Sequence, residues 1–320
     1  MTQMAQTTVD LSVKTLFGLP VPEKAKVRGF AAPGPLTPPA DPDYHFRKEL
    51  VGDFLCWHQA RLSGACKDGV WLAGPLGSGK TTFVNEVAAR LNQNVVQANG
   101  KRRLEMADWV GHLTAVGGDV LFEDGPLTRA ARQGWWFLLN EADLVEPGEL
   151  AGLNTLLDGG PLVIAENGGE VVWPAPGFGV ICTANTVGLG DSSGLYAATQ
   201  RLNGAFMDRF WVLAVGYPPA AEEIEILRRA APGLPPAIVE KMVEVAGAVR
   251  ALFAGAGEGP AVEVTVSTRT LKRWALLALA FCKAPEPLVY SLRLALTNRA
   301  EPETAEAVVG IARRVFGGGN

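Results

Sequence analysis

The chain has 320 residues, 48% hydrophobic and 19% charged, enough for two domains of ordinary size with a core each. A net charge of −4 and an isoelectric point near 5.6 argue against a protein that simply coats nucleic acid. A mean hydropathy of +0.14, with no apolar run of about 18 residues, argues against a membrane span, and MTQMAQTTVDLSVKTLF has no basic start followed by an apolar block, so no secretory leader is read.

Residues 1–45 are proline-rich and include PGPLTPPADPDY, which reads as an extended arm without a packed core. From Phe46 to about Gly64 the apolar spacing predicts a helix. GVWLAG (69–74) is a short buried strand, residues 79–92 a helix and NVVQANG (94–100) a second strand. A less regular segment follows, with a small hairpin expected around Gly117 and Gly118. PLTRAARQG is a helix, and WWFLLN is a third strand that ends in Asn140 and runs into Glu141. PGELAGLNTLLDGG is predicted helical, and PLVIAENGGEVVWPAP alternates around ENGG as a hairpin does. GVICTAN and FWVLAVGYP (210–218) are further strands, and after Pro219 the pattern is helical only. The expected fold class is therefore α/β: a parallel five-stranded sheet over residues 46–218 with flanking helices and inserted hairpins, then an all-helical domain over 219–320.

GPLGSGKTT fits G-x-x-x-x-G-K-[ST] and comprises Gly74, Pro75, Leu76, Gly77, Ser78, Gly79, Lys80, Thr81 and Thr82. Its glycines let the backbone curl so that N–H groups face an anion, and the following helix adds its positive end. Lys80 is expected to reach the β- and γ-phosphates, and the Thr81 hydroxyl to ligate Mg²⁺. A second strand must then bring acid to the same rim of the sheet. Glu141 is placed to polarise a water for attack on phosphorus. Asn140 stands where an aspartate would hold the metal through water; its amide accepts such a bond but brings no charge, so weaker Mg²⁺ binding is expected. Asn185, at the end of the fourth strand, is placed to orient the attacking water. Arg209, in MDRF, is a candidate arginine finger for a neighbouring subunit's site, with Arg201 as its rival. Arg269, in STRTLKRW, opens a helix that Ser267 or Thr268 caps, and is placed to reach nucleotide from the second domain. There is no guanine-selecting N-K-x-D, which favours ATP.

The motifs GPLGSGKT, LLNEAD, TANT, MDRF and STRT occur in an order and spacing that resemble AAA+ ATPases of the MoxR/dynein-related group. Within that group TANTVGLGDSSGLYAATQRLNGAFMDRF is most similar to the small ATPase subunit of aerobic cobaltochelatase, and the likeness covers roughly residues 20 to 285. The resemblance implies that Lys80 and Thr81 belong to Walker A and Asn140 and Glu141 to Walker B. It makes Asn185 sensor 1, Arg209 the arginine finger and Arg269 sensor 2. It implies a P-loop fold with a helical lid, ATP and Mg²⁺ as ligands, a homo-oligomer (usually a hexameric ring) and a partner with a von Willebrand A (VWA) domain. Asn140 departs from the aspartate of the chelatase subunit.

The leading expectation is a cytoplasmic ring motor that remodels a partner protein, its client unnamed by the sequence. The alternatives are the ATPase subunit of a cobalt chelatase, a nucleotide-binding scaffold with little turnover, and a nucleic-acid motor, which the acidic charge disfavours. Leu121 and Phe122, near Glu123 and Asp124, are candidates to line a pore; simple packing of that hairpin is the equal alternative. Trp135, Trp136 and Phe137 read as core. Cys56, Cys66, Cys182 and Cys282 form no C-x-x-C pair, and His45, His58 and His112 no H-E-x-x-H, so reduced thiols are expected and zinc is not.

Overall fold

The structure is a computed structural model that describes residues 7–190, 196, 198–256 and 262–317. They fall into two compact units. The first takes the described residues of 1–42, 46–75 and 80–215, and the second those of 43–45, 76–79 and 216–320.

The N-terminal arm differs from its expectation. β1 (Thr8–Ser12) and β2 (Lys26–Phe30) pair antiparallel across the short helix α1 (Val13–Phe17). Phe17, Leu19 and Val27 are buried. The Leu36 N–H donates to Asn94 Oδ1 and the Asn92 amide to the Phe30 carbonyl, each at 2.8 Å. Proline content reports chain stiffness. It does not report whether the apolar side chains between prolines find a surface, and here they do.

The next helix, α2 (Lys48–Leu62), buries Phe54 and Trp57. β3 (Gly69–Ala73) leads through the glycine loop into α3 (Lys80–Leu91), and β4 (Val95–Asn99) follows. The expected hairpin around Gly117–Gly118 is β5 (Gly111–Val116) and β6 (Asp119–Asp124), preceded by α4 (Met106–Val110). α5 (Pro126–Gln133) starts on a proline, stops on Gly134 and hands over to β7 (Trp136–Asn140), which is buried throughout. The stretch predicted as one helix after Glu146 is broken instead. α6 (Pro147–Leu150) and α7 (Asn154–Leu157) are single turns joined by a 3-10 turn at Ala151–Leu153, with Gly148 and Gly152 inside the run. β8 (Leu162–Ile164) and β9 (Glu170–Val172) form the second hairpin. β10 (Gly179–Ala184), α8 (Gly204–Met207) and β11 (Phe210–Ala214) complete the unit.

The main sheet has the order β11-β3-β10-β7-β4, and every neighbouring pair is parallel. β3, β7 and β10 are buried at every position, which is why they read as continuous apolar runs rather than alternating ones. Behind β7 lies an aromatic cluster. Trp136 has its ring 5.4 Å from Phe54, 6.0 Å from Trp57 and 5.3 Å from His58. Each such aromatic pair contributes about 0.5–1.5 kcal/mol beyond the area it buries. Trp136 and Phe137 are core as expected, at 1% and 0% exposure. In the first hairpin Leu121 is exposed, whereas Phe122 packs inward against the core, so the two candidate pore residues face opposite environments.

The second unit holds α9 (Ala220–Ala230), α10 (Pro236–Phe253), α11 (Thr268–Ala280), α12 (Pro287–Ala295) and α13 (Pro302–Phe316) around a core that includes Met242, Val249, Leu271 and Trp274. Its interior also carries an ion pair. Arg250 donates to both carboxylate oxygens of Glu223 at 2.7 and 2.8 Å, donates to the Val266 carbonyl and lies over the Tyr217 ring. The Tyr217 hydroxyl in turn donates to the Leu76 carbonyl at 2.8 Å. A pair that is this well hydrogen-bonded offsets the cost of taking both charges out of water. Among the described residues no helix is long and apolar enough to cross a membrane.

Candidate active site

Three neighbouring parallel strands end on one rim of the sheet. β3 delivers the glycine loop, β7 delivers Asn140 and Glu141, and β10, lying between them, delivers Asn185. Ligands of open α/β sheets bind outside the carboxyl ends of such strands. Gly77 and Gly79 have φ of 69° and 92°, values a side chain would resist. The Ser78 hydroxyl is buried with no hydrogen-bond partner among the described residues. A buried donor without a partner is costly, and an anionic oxygen in the loop would relieve it.

Lys80 is only 9% exposed. Its Nζ donates to the carbonyls of Gly74 and Pro75 at 2.6 and 3.1 Å, and to Asn185 Oδ1 at 3.2 Å. Burial lowers its pKa to about 8, while the nearby carboxylates of Asp143 and Glu141 act in the opposite direction. Thr81 follows, and Thr82 is exposed.

The Thr81 hydroxyl donates to Asn140 Oδ1 at 2.6 Å. The same amide oxygen accepts from the Thr183 hydroxyl at 3.3 Å. On its other side the Asn140 amide donates to Asn99 Oδ1 at 3.2 Å and to Gln97 Oε1 at 3.4 Å, both on β4. In this arrangement the Asn140 amide uses both its acceptor oxygen and its donor group, and an aspartate would keep only the former. The sequence singled out Asn140 but not Gln97 or Asn99, because the pairing of β4 with β7 had to be known first.

Glu141 is exposed and sits at φ 52°, ψ 43°. A non-glycine residue in this left-handed region stores about 1–3 kcal/mol, and such strain collects at functional sites. Gly100 braces the turn: its N–H donates to the Asn140 carbonyl at 2.6 Å, and a Cβ there would lie 2.2 Å from the Glu141 carbonyl oxygen. Asp143, which the sequence reading passed over, is wholly buried and bonded to the backbone of Asn185 and Thr186.

Arg209 is held within its own chain. Its guanidinium pairs with both carboxylate oxygens of Asp158, at 2.7 and 3.0 Å, and donates to the Ala205 carbonyl at 2.6 Å. Arg209 in turn holds the Asp158 carboxyl below the usual carboxylate range. Arg201 is exposed, with its backbone bridged to Leu189. Part of the segment before it, residues 191–195 and 197, lies outside the described residues. Arg269 is exposed in the first turn of α11, whose N-cap is Ser267: the Ser267 hydroxyl accepts from the Thr270 N–H at 3.0 Å.

Comparison with known proteins identifies the family. Residues 69–202 match the AAA domain (dynein-related subfamily), and residues 223–315 match the CbbQ/NirQ/NorQ C-terminal family. The chain is 30% identical over 318 residues to "Aerobic cobaltochelatase subunit CobS" of Sinorhizobium sp, covering 96% of this chain and 90% of that protein. It is 29% identical to "Protein NorQ" of Paracoccus denitrificans, over 78% of this chain and 86% of that one. Among solved structures a variant of RuvB from Thermotoga maritima superposes with a TM-score of 0.51 at 18% identity, covering 88% of this chain and 82% of that chain, a likeness of fold. With a relative 30% identical across 96% of this chain and 90% of its own length, the chain belongs to the dynein-related, MoxR-like branch of the AAA+ ATPases and is an ATP-hydrolysing enzyme.

Proposed function

We propose that this ATPase works as a Mg²⁺-dependent homo-oligomeric ring, hexameric by family resemblance, that remodels a partner protein or complex in the cytoplasm, with a VWA-domain protein as its companion. The observation that carries the residue assignment is the 2.6 Å hydrogen bond between Thr81 and Asn140. It sets the hydroxyl after Lys80 directly against the end of β7.

The donor set fits a magnesium nucleotide. Thr81 and Asn140 supply hard oxygen ligands of the kind Mg²⁺ takes, Asn140 through water, and the orphan Ser78 hydroxyl supplies a donor for phosphate oxygen. When bound, Mg²⁺ neutralises charge on the β- and γ-phosphates. The loop from Gly74 to Thr82 binds the phosphates through its N–H groups, and Lys80 exchanges its carbonyl partners for phosphate oxygens. Glu141, next to the metal-facing Asn140, takes the proton of the attacking water. Asn185, whose Oδ1 now accepts from Lys80, orients that water. Arg209 supplies charge to a neighbour's site and must leave Asp158 to do so; Arg201 remains its rival. Arg269 is assigned as the second sensor by the family resemblance.

A narrower reading, the ATPase subunit of a cobalt chelatase, is favoured by one finding: the relative matched at 30% identity carries that name. The scaffold reading is favoured by Asn140 alone.

Three outcomes follow. Nucleotide affinity stays level below pH 8 and falls as pH rises above it, because Lys80, with a pKa of about 8, loses there the charge that meets phosphate. Titration with a fluorescent ATP analogue checks this; in Lys80→Ala binding is weak and the fall disappears. Asn140→Asp adds a charge beside the metal and lowers the Mg²⁺ concentration for half-maximal turnover by about threefold or more, as expected for a stronger hard-oxygen site; an unchanged metal dependence contradicts the assignment. Finally, specific ATPase activity rises with protein concentration, and mixing in Arg209→Ala subunits lowers wild-type activity more than dilution does. Loss of a finger costs on the order of 10³–10⁵ in rate at each affected site. Activity constant down to nanomolar protein would speak against shared sites.

A further inference from the structure

Among the described residues, Asp143 is the one acid at the strand rim without a proposed task. It lies two residues beyond Glu141, in the 3-10 turn Ala142–Leu144, and is 0% exposed. A single carboxylate oxygen, Oδ2, accepts three hydrogen bonds from the residues that leave β10. They come from the Asn185 N–H at 2.8 Å, the Thr186 N–H at 3.0 Å and the Thr186 hydroxyl at 3.2 Å. The main-chain carbonyl of Asp143 accepts from the Gln200 N–H at 2.7 Å. The other carboxylate oxygen, Oδ1, is buried with no partner among the described residues. Burial pushes the Asp143 carboxyl up, and the donors from Asn185 and Thr186 pull it down.

Hydrogen bonds to a carboxylate are about twice as strong as neutral ones; two of the three come from the backbone N–H groups of Asn185 and Thr186 and the third from the Thr186 hydroxyl. The Asn185 side chain in turn meets Lys80 at 3.2 Å. On the other side, Glu141 is locked in a left-handed turn that leads straight into Asp143. One buried carboxylate thus joins the turn of the proposed base to the strand end of the proposed water-orienting amide. We propose that Asp143 is a positioning residue for ATP hydrolysis: it clamps the Asn185–Thr186 backbone to the Glu141 turn and so fixes the separation of the two groups that act on water. Through Gln200 it also anchors the segment that runs on to Arg201 and Arg209. The inference rests on the roles proposed above for Glu141 and Asn185.

A carboxylate that merely held the turn together would affect stability and nucleotide affinity together, and independently of Asn185. A positioning residue acts through Asn185. The test is a double-mutant cycle in the full chain with Asp143→Asn, which keeps an acceptor oxygen and removes the charge, Asn185→Ala and the pair. ATPase kinetics, affinity for a fluorescent ATP analogue and thermal unfolding are read for each. In Asp143→Asn, kcat is expected to fall about tenfold while KM and nucleotide affinity stay within about threefold. Added to Asn185→Ala, the same change should cost less than about twofold, because residues that act as a unit are not additive. Effects that multiply in the pair, or a loss that appears equally in affinity, overturn the proposal alone. A wild-type kcat in Asn185→Ala overturns the reading of Asn185 and the proposal with it. Should Asp143→Asn fail to fold, Thr186→Val removes only the hydroxyl donor. It is expected to lower kcat by about twofold to threefold in the wild-type background and not in Asn185→Ala; an unchanged kcat in the wild-type background overturns the proposal.

Discussion

Parallel pairing of β10 with both β3 and β7 is the constraint on which the site depends. Ile181 stands opposite Val70 on one side and Leu138 on the other, and this register brings three strand ends to one rim. A slip of one residue would exchange the two buried faces of β10 and shift Asn185 away from Lys80. The apolar runs of these strands therefore do two things. They fill the core, and they set to within a hydrogen bond where Lys80, Asn140, Glu141 and Asn185 meet. Trp136 and its aromatic neighbours, at the opposite end of β7, anchor that register from behind.

The chemistry at the rim is one of buried charge held in balance. Lys80 lies in a site dry enough to lower its pKa to about 8, with the Asp143 and Glu141 carboxylates opposing that shift. Asn140 keeps one unit of negative charge away from the Thr81 hydroxyl and uses its amide donor toward β4 instead. Asp143 returns a carboxylate to the region, directed at the Asn185 backbone rather than at the Thr81 hydroxyl. The Arg209–Asp158 pair obeys the same logic at lower stakes, because it is partly open to water and exposed ion pairs are individually weak.

What the sequence made legible was whatever depends on local pattern. The glycine loop, the strands on either side of it, the hairpins around Gly117–Gly118 and ENGG, and the core role of Trp136 and Phe137 could all be read from periodicity and turn residues. The helix expected after Glu146 could not, because its apolar spacing spans two glycines and the run breaks into single turns. The proline-rich arm gave the wrong impression of an unpacked chain, since proline content reports neither the β1–β2 pairing nor the hydrogen bonds that tie the arm to Asn92 and Asn94. The partners of Asn140 on β4 and the clamp made by Asp143 were invisible as well: both lie across strands that are neighbours in the sheet and far apart in sequence. The acid two places after Glu141 was the one available signal, and it acquires meaning only once β10 is seen to lie beside β7.

The central claim is that Glu141, held in its strained turn at the end of β7, is the group that activates water for a nucleotide bound at the Lys80 loop. Parallel measurement of ATP affinity and of phosphate release in Glu141→Gln tests it most directly. The account predicts affinity within about threefold of wild type and phosphate release lowered by about 10²-fold or more, the usual contribution of a general base. Phosphate release within a factor of about two of wild type, with nucleotide still bound, would contradict it.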